Sequence, residues 1–134
     1  MPEYRYRGEI ESIDIGAINR DIEAFCYKRD IAKNKILAIQ LVVEETLSNI
    51  CKYGLGIKKS VTVNIRLSEK KGSLNIEISD NGKKFNPLAA DEPDTWAPIE
   101  DRTPGGLGIF LIKKKVKSIE YNNKDGINVL IAKI

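Results

Sequence analysis

SVTVNIRLSEKKGSLNIEISD, Ser60 to Asp80, is the stretch on which the fold turns. Val61, Val63, Ile65 and Leu67 alternate with polar residues, a turn-like KKG intervenes, and Leu74, Ile76 and Ile78 resume the alternation. A period of two puts all these apolar side chains on one face, so the stretch predicts a hairpin with one buried face and one wet one. Such a sheet needs cover, and the flanking segments change period to provide it.

Upstream, residues 3 to 10 read as a strand. Asp14 then caps a helix running to about Lys28, with Ile15, Ile18, Ile22, Phe25 and Cys26 as its core stripe. A longer helix from about Asn34 to Tyr53 places Ile36, Ile39, Val43, Leu47 and Ile50 on one side before Gly54 stops it. Downstream, Pro87 to Gly105 has no periodicity and holds four of the five prolines and the only tryptophan, Trp96. A loop beyond ~12 to 15 residues inside a domain is usually a functional lid or a disordered segment, so a lid is assigned to about 88–104. Gly106 to Val116 resumes a helix, and a last hairpin pairs Ile119–Asn122 with Ile127–Ile134 across NKDG. The order β-α-α-β-β-lid-α-β-β predicts a single α+β domain over 1–134. It is a two-layer sandwich of a mixed, mainly antiparallel sheet with helices on one face.

Composition excludes several functions. The chain has 134 residues, 42% of them hydrophobic, which suits one domain with a real core. Its 22 basic and 19 acidic residues leave a net charge of +3 with no long block of one sign, so direct nucleic-acid binding is not expected. The run Lys113 to Lys115 reads as a solvated helix face. No basic start leads into an apolar h-region and no apolar run approaches ~18 residues, which predicts a cytoplasmic protein without a membrane span. Cys26 and Cys51 lack metal-type spacing and are expected to be buried free thiols. With no histidine, Ser-His and Cys-His nucleophile pairs and His-ligated zinc are excluded.

Three segments carry chemistry. In VVEETLSNICKYG, Val42 to Gly54, Glu45 and Asn49 are four apart and share a helix face, with Lys52 one turn on. The pair alone reads as an ordinary wet face opposite the apolar stripe, and Glu44 is expected to turn toward the core edge. In ISDNGKKFNP, Ile78 to Pro87, an apolar strand ends in Asp80, which can hold a turn and can also present a carboxylate acceptor at the sheet's mouth. In TPGGLGIFLIKKK, Gly105, Gly106 and Gly108 bare the backbone where a helix begins; this suits either a hinge or an anion held by helix N-terminal amides.

Together the three segments resemble the N, G1 and G2 boxes of the GHKL ATPase superfamily with its Bergerat fold, and within it the small anti-sigma-factor serine/threonine kinases. Glu45 to Asn49 is similar to the N box, Asp80 to Pro87 with Gly82 and Phe85 to the G1 box, and Gly105-Gly106-Leu107-Gly108 to the G2 box. The likeness spans about residues 10 to 134. It implies ATP and Mg²⁺ as cofactors, with Asp80 accepting from the adenine amine, Gly82 and Phe85 beside the ring, and Asn49 ligating the metal. Lys52 and the 105–108 main chain would lie near the phosphates, and Glu45 would be the general base. Asn128 stands where relatives often place a threonine near adenine, and Arg102 in the lid is a candidate for the γ-phosphate.

The resemblance further implies a serine or threonine acceptor on a STAS-domain anti-anti-sigma protein, a sequestered sigma factor, and commonly a homodimer. Tyr53 stands where these kinases often carry histidine, and Lys52-Tyr53 is similar to sensor histidine kinases instead. Read as a whole protein, the chain has no length for a phosphoacceptor helix pair, so a histidine-kinase-like domain would act in trans. A non-catalytic, ATP-dependent binding module is the other alternative, and the intact Glu45 favours the enzyme.

Overall fold

The hairpin forms as its alternation requires. A computed structural model describes residues 2–56, 58–89 and 106–134, with main chain alone at 106 and 107. Thr62–Lys70 (β2) and Ser73–Asp80 (β3) pair antiparallel in the register Leu67↔Ile76 and Ile65↔Ile78. Lys71 and Gly72 turn the corner with φ of 52° and 80°, the left-handed pair that a two-residue turn matched to strand twist demands. Glu3–Glu9 (β1) adds to the outer side of β2.

On the other side, Ile127–Lys133 (β5) pairs with β3, and Ser118–Lys124 (β4) pairs with β5 across Asp125 and Gly126. The five-stranded order is β1-β2-β3-β5-β4, and every described pairing is antiparallel, simpler than the mixed sheet expected. Short hairpins account for β2–β3 and β4–β5, whereas β1–β2 and β3–β5 pair antiparallel across long connections.

Ile15–Tyr27 (α1) starts where Asp14 Oδ1 accepts from the Ala17 amide at 3.0 Å. This bond satisfies one of the helix's free donors. Lys33–Asn49 (α2) packs against α1 and over β3, and Gly106–Lys115 (α3) packs against α2. Val63, Ile65, Leu67, Leu74, Ile76, Ile78, Leu130 and Ala132 point from the sheet into one core with Ile22, Ile39, Val43, Leu47 and Ile112 from the helices. The opposite sheet face carries Arg5, Arg66 and Glu77, with Arg66 paired to Glu77 at 2.8 Å.

Three expectations need correction or lie beyond the described chain. The second helix does not run unbroken to Tyr53: after Asn49 it widens into a π-helical turn, Ile50–Gly54. Cys26 is buried, and burial pushes its thiol up to about 11, but Cys51 is exposed because the π turn carries it to the solvent side. The lid at 88–104 lies outside the described residues beyond Ala89, as do Arg102 and Gly105. Lys113 to Lys115 are exposed as expected. Among the described residues no helix is long and apolar enough to cross a membrane.

Ile76 is fully buried on the central strand. Ile76→Ala is therefore expected to cost about 2–5 kcal/mol in chemical denaturation, and a loss under ~1 kcal/mol would contradict this core.

Candidate functional site

Asp80 is the last residue of β3, 7% exposed, beneath the ends of α2 and its π turn. The Asp-Asn-Gly sequence does hold a turn: Asp80 Oδ1 accepts from the Gly82 amide at 2.8 Å, the two-residue reach typical of aspartate. Register adds a second partner. Asn128, the second residue of β5, lies directly beside Asp80, and its Nδ2 donates to the same Oδ1 at 3.0 Å.

Asn128 is itself saturated. Its Nδ2 also reaches the Lys83 and Gly82 carbonyls at 3.0 and 3.4 Å, while its Oδ1 accepts from Tyr121 Oη at 2.5 Å and Asn123 Nδ2 at 2.9 Å. One amide thus ties β3, the loop after it and β4 together, so Asn128 holds Asp80 in place with no polar atom to spare. No described residue bonds Asp80 Oδ2. Burial raises the Asp80 carboxyl above its usual range; Asn128, the Gly82 amide and the Lys58 charge partly offset that.

The carboxylate lines a small, partly open recess. Thr46 and Asn49 of α2, Gly54, Ile78, Phe85, Tyr121, Asn128 and Leu130 are among its walls. The π turn shapes one side, because it brings the Gly54 carbonyl to accept from the Lys83 amide at 2.7 Å. A Cβ on Gly82 would stand 2.7 Å from that carbonyl oxygen and 2.9 Å from Asp80 Oδ1, so only glycine fits. Tyr53 and Phe85 stack with centroids 4.9 Å apart, both more than a third exposed, beside the cavity that Phe85 lines.

Glu45 stands on α2 one turn before Asn49. Its Oε1 is covered and makes no hydrogen bond, and burial raises its carboxyl, partly countered by the Lys52 charge and the Asn49 amide. Gly108 of α3 lies against it so closely that a Cβ there would occupy the carboxylate's space. The bare backbone at Gly108 therefore makes room for Glu45. Lys52 is exposed. Gly106 and Leu107 fall in the first turn of α3, by main chain alone.

Asn49 is not on a wet face: it is 5% exposed, because α2 is covered by the sheet on one side and by α1 and α3 on others. Glu44, expected toward the core edge, is exposed and accepts from Asn19 Nδ2 at 3.0 Å. Sequence reasoning missed Thr46, Tyr121 and Asn123. The available signal for Thr46 was a polar residue inside the run Val42, Val43, Leu47, three positions before Asn49.

A family model described as a histidine kinase-like ATPase domain matches residues 10–134. The chain is 26% identical over 92 residues to the serine/threonine-protein kinase BtrW of Bordetella bronchiseptica, a match covering 69% of this chain and 65% of that protein. It thus spans just under two thirds of that relative's length. It is 22% identical over 124 residues to the serine-protein kinase RsbW of Oceanobacillus iheyensis, covering 89% and 78%. Its fold superposes on a solved structure of the RsbU and RsbW domains of a Mycobacterium tuberculosis protein with a TM-score of 0.65 at 10% identity, over 99% of this chain and 31% of that one.

Two outcomes follow from the geometry. Gly82→Ala meets main chain and is expected to destabilise by about 1–3 kcal/mol. Gly108→Ala meets only the end of a movable side chain and is expected to unfold near the wild-type temperature with Glu45 displaced. Thermal unfolding of both variants checks the contrast. The second concerns pH. Glu45 has its folded value raised above its usual 4.5, so its contribution is fully stabilising below that and is lost as pH rises through the folded value. Glu45→Gln, free of ligand, should then be more stable than wild type at pH 7, with the gap closing toward pH 4.5.

Proposed function

Because the chain belongs to the histidine kinase-like ATPase domain family, we propose that the cavity under α2 takes the adenine of ATP and that the domain transfers the γ-phosphoryl group to a protein hydroxyl. The observation that carries this is the state of Asp80. Its Oδ1 is committed to Gly82 and Asn128, which leaves Oδ2 as a fixed acceptor in a largely apolar recess. A recess of that kind suits a flat ring bearing an exocyclic amine. Phe85 and Gly82 line or shape the same recess.

The triphosphate would run from there along α2 toward the start of α3, past Asn49, Lys52 and main chain 105–108. Gly106–Lys115 is a helix, and its free N-terminal amides favour an anion. Among the described residues no cluster of three His, Cys, Asp or Glu could hold a metal. By the N-box resemblance, Mg²⁺ would take one amide oxygen from Asn49 and complete its shell with phosphate and water. When bound, the ion supplies charge neutralisation between the phosphates.

Glu45 is the proposed general base. Burial raises its proton affinity above that of a free carboxylate, the direction that makes a better acceptor for a hydroxyl proton near neutral pH. The covered, unpaired Oε1 is an acceptor awaiting a donor. The proposal extends to one domain over 1–134 with a lid at about 88–104, in which Arg102 is the candidate partner for the γ-phosphate.

The relatives' names point to serine or threonine as acceptor. The resemblance of the three boxes extends this to a cytoplasmic partner-switching circuit: a STAS-domain anti-anti-sigma protein as substrate, a sigma factor held by the same domain, and a homodimer as its form.

Incubation with labelled ATP, Mg²⁺ and a STAS-domain partner tests the assignment. Wild type is expected to label a serine or threonine. Glu45→Gln should bind ATP with transfer reduced ~10²- to 10⁴-fold, whereas Asp80→Asn should weaken ATP itself roughly ten- to a hundredfold. The acid limb of the pH–rate profile should report a carboxylate titrating above 4.5. ATP binding without any label would leave a nucleotide-dependent binding module.

A further inference from the structure

Charge that is nearly balanced along the sequence, 22 basic against 19 acidic residues, is far from balanced in space. Lysines gather at the end of the domain opposite Asp80. β3 starts at that end with Ser73 and runs roughly 25 Å to the recess. Lys35 Nζ in the first turn of α2 donates to the Gly72 carbonyl at 3.0 Å, so the α1–α2 connection sits beside the β2–β3 turn. The Lys117 amide donates to the Lys133 carbonyl at 2.7 Å and the Ile134 amide to the Leu74 carbonyl at 2.9 Å, which brings the ends of α3 and β5 to the same place.

The α1–α2 connection supplies Lys28 and Lys33, and the β2–β3 turn supplies Lys70 and Lys71. Lys113 to Lys115 and Lys117 come from the end of α3, and Lys133 from β5; all nine lysines are exposed. Among the described residues none of the nine is in an ion pair. Acidic residues there are fewer and mostly engaged. Glu3 is paired to Arg5 and Glu69 accepts from the Gly72 amide, which leaves Asp30. Compensation of the helix dipole accounts for the lysines in the last turn of α3, but not for Lys70, Lys71 or Lys133. Two large apolar side chains stand uncovered among these cations. Tyr27, next to Lys28, is 59% exposed, and Leu37, one turn from Lys33 on the same face of α2, is 54% exposed.

From this we infer that the lysine-bearing end is a docking surface for an anionic lipid bilayer, with Tyr27 and Leu37 entering the headgroup layer. The cations come from four segments spread over a whole end of the domain, a layout that matches a plane of phosphates. Lysine is depleted in protein interfaces relative to arginine, whereas near an anionic leaflet each lysine adds attraction without a fixed geometry. Leu37 suits an acyl boundary and gains nothing from a phosphodiester backbone. Docked in this way, the domain holds the Asp80 recess away from the lipid. The inference stands apart from the nucleotide reading.

Sedimentation with vesicles tests it, using equal parts phosphatidylglycerol and phosphatidylcholine against phosphatidylcholine alone, at low and at raised salt. Wild type is expected on the mixed vesicles only, and to leave them as salt rises. Lys114→Gln, Lys115→Gln and Lys117→Gln combined should weaken that partitioning roughly a hundredfold, about fivefold per lysine. Lys59→Gln, Lys84→Gln and Lys124→Gln combined remove the same charge from exposed positions at the Asp80 end, and should weaken it less than about threefold. Leu37→Ser should cost about three- to tenfold at fixed salt.

Absence of wild type from the mixed vesicles would overturn the inference. Equal losses in the two triple variants would do so as well, by reducing the effect to net charge, and so would unchanged partitioning of Leu37→Ser. Half-saturation by duplex DNA or by polyglutamate at a lower anion concentration than by the mixed vesicles would also overturn it, in favour of a nucleic acid or an acidic protein.

Discussion

One carboxylate kept under cover at the end of the central strand organises this molecule. Asp80 can stay there only because two donors reach one of its oxygens, the Gly82 amide and the Asn128 side chain. An unpaired charge in that position would be far costlier than an unpaired hydroxyl. Those donors in turn constrain their surroundings. Gly82 must lack a side chain to fit beneath the Gly54 carbonyl, Gly54 is delivered there by a π turn, and β5 must pair in the register that places Asn128 alongside. The geometry of the recess is thus a consequence of satisfying one buried charge.

The helix above it is under a similar double demand. An ordinary amphipathic helix buries one stripe and wets the rest. In contrast, α2 meets the sheet, α1 and α3, and Thr46 and Asn49 are buried along with its aliphatic residues. The polar residues of this helix are positioned largely by packing of the whole helix. Glu45 illustrates this most clearly, since its position is set by the absence of a side chain on Gly108, far away in the chain.

Much of the scaffold was legible because it is local. Alternation through Val63, Ile65 and Leu67 reports the sheet, Asp14 reports a helix start, and the Asp-Gly pair at 125–126 reports a turn; each signal lies within a few residues. The site was legible only in part. Asp80 stood out as a charge ending an apolar strand, but what holds it depends on the pairing of residues 80 and 128, and pairing is not written in either segment alone. The sidedness of α2 was misread for the same reason: a wheel drawn for one helix does not know that three neighbours cover it. The grouping of Glu45, Asn49, Asp80 and the glycines came from likeness to a family, not from spacing.

The π turn has an experimental side benefit. By swinging Cys51 outward while Cys26 stays sealed in the core, it leaves the chain's two thiols chemically unequal. A maleimide dye would attach at one place without engineering, two residues beyond Asn49, and its fluorescence could follow events at the cavity in real time.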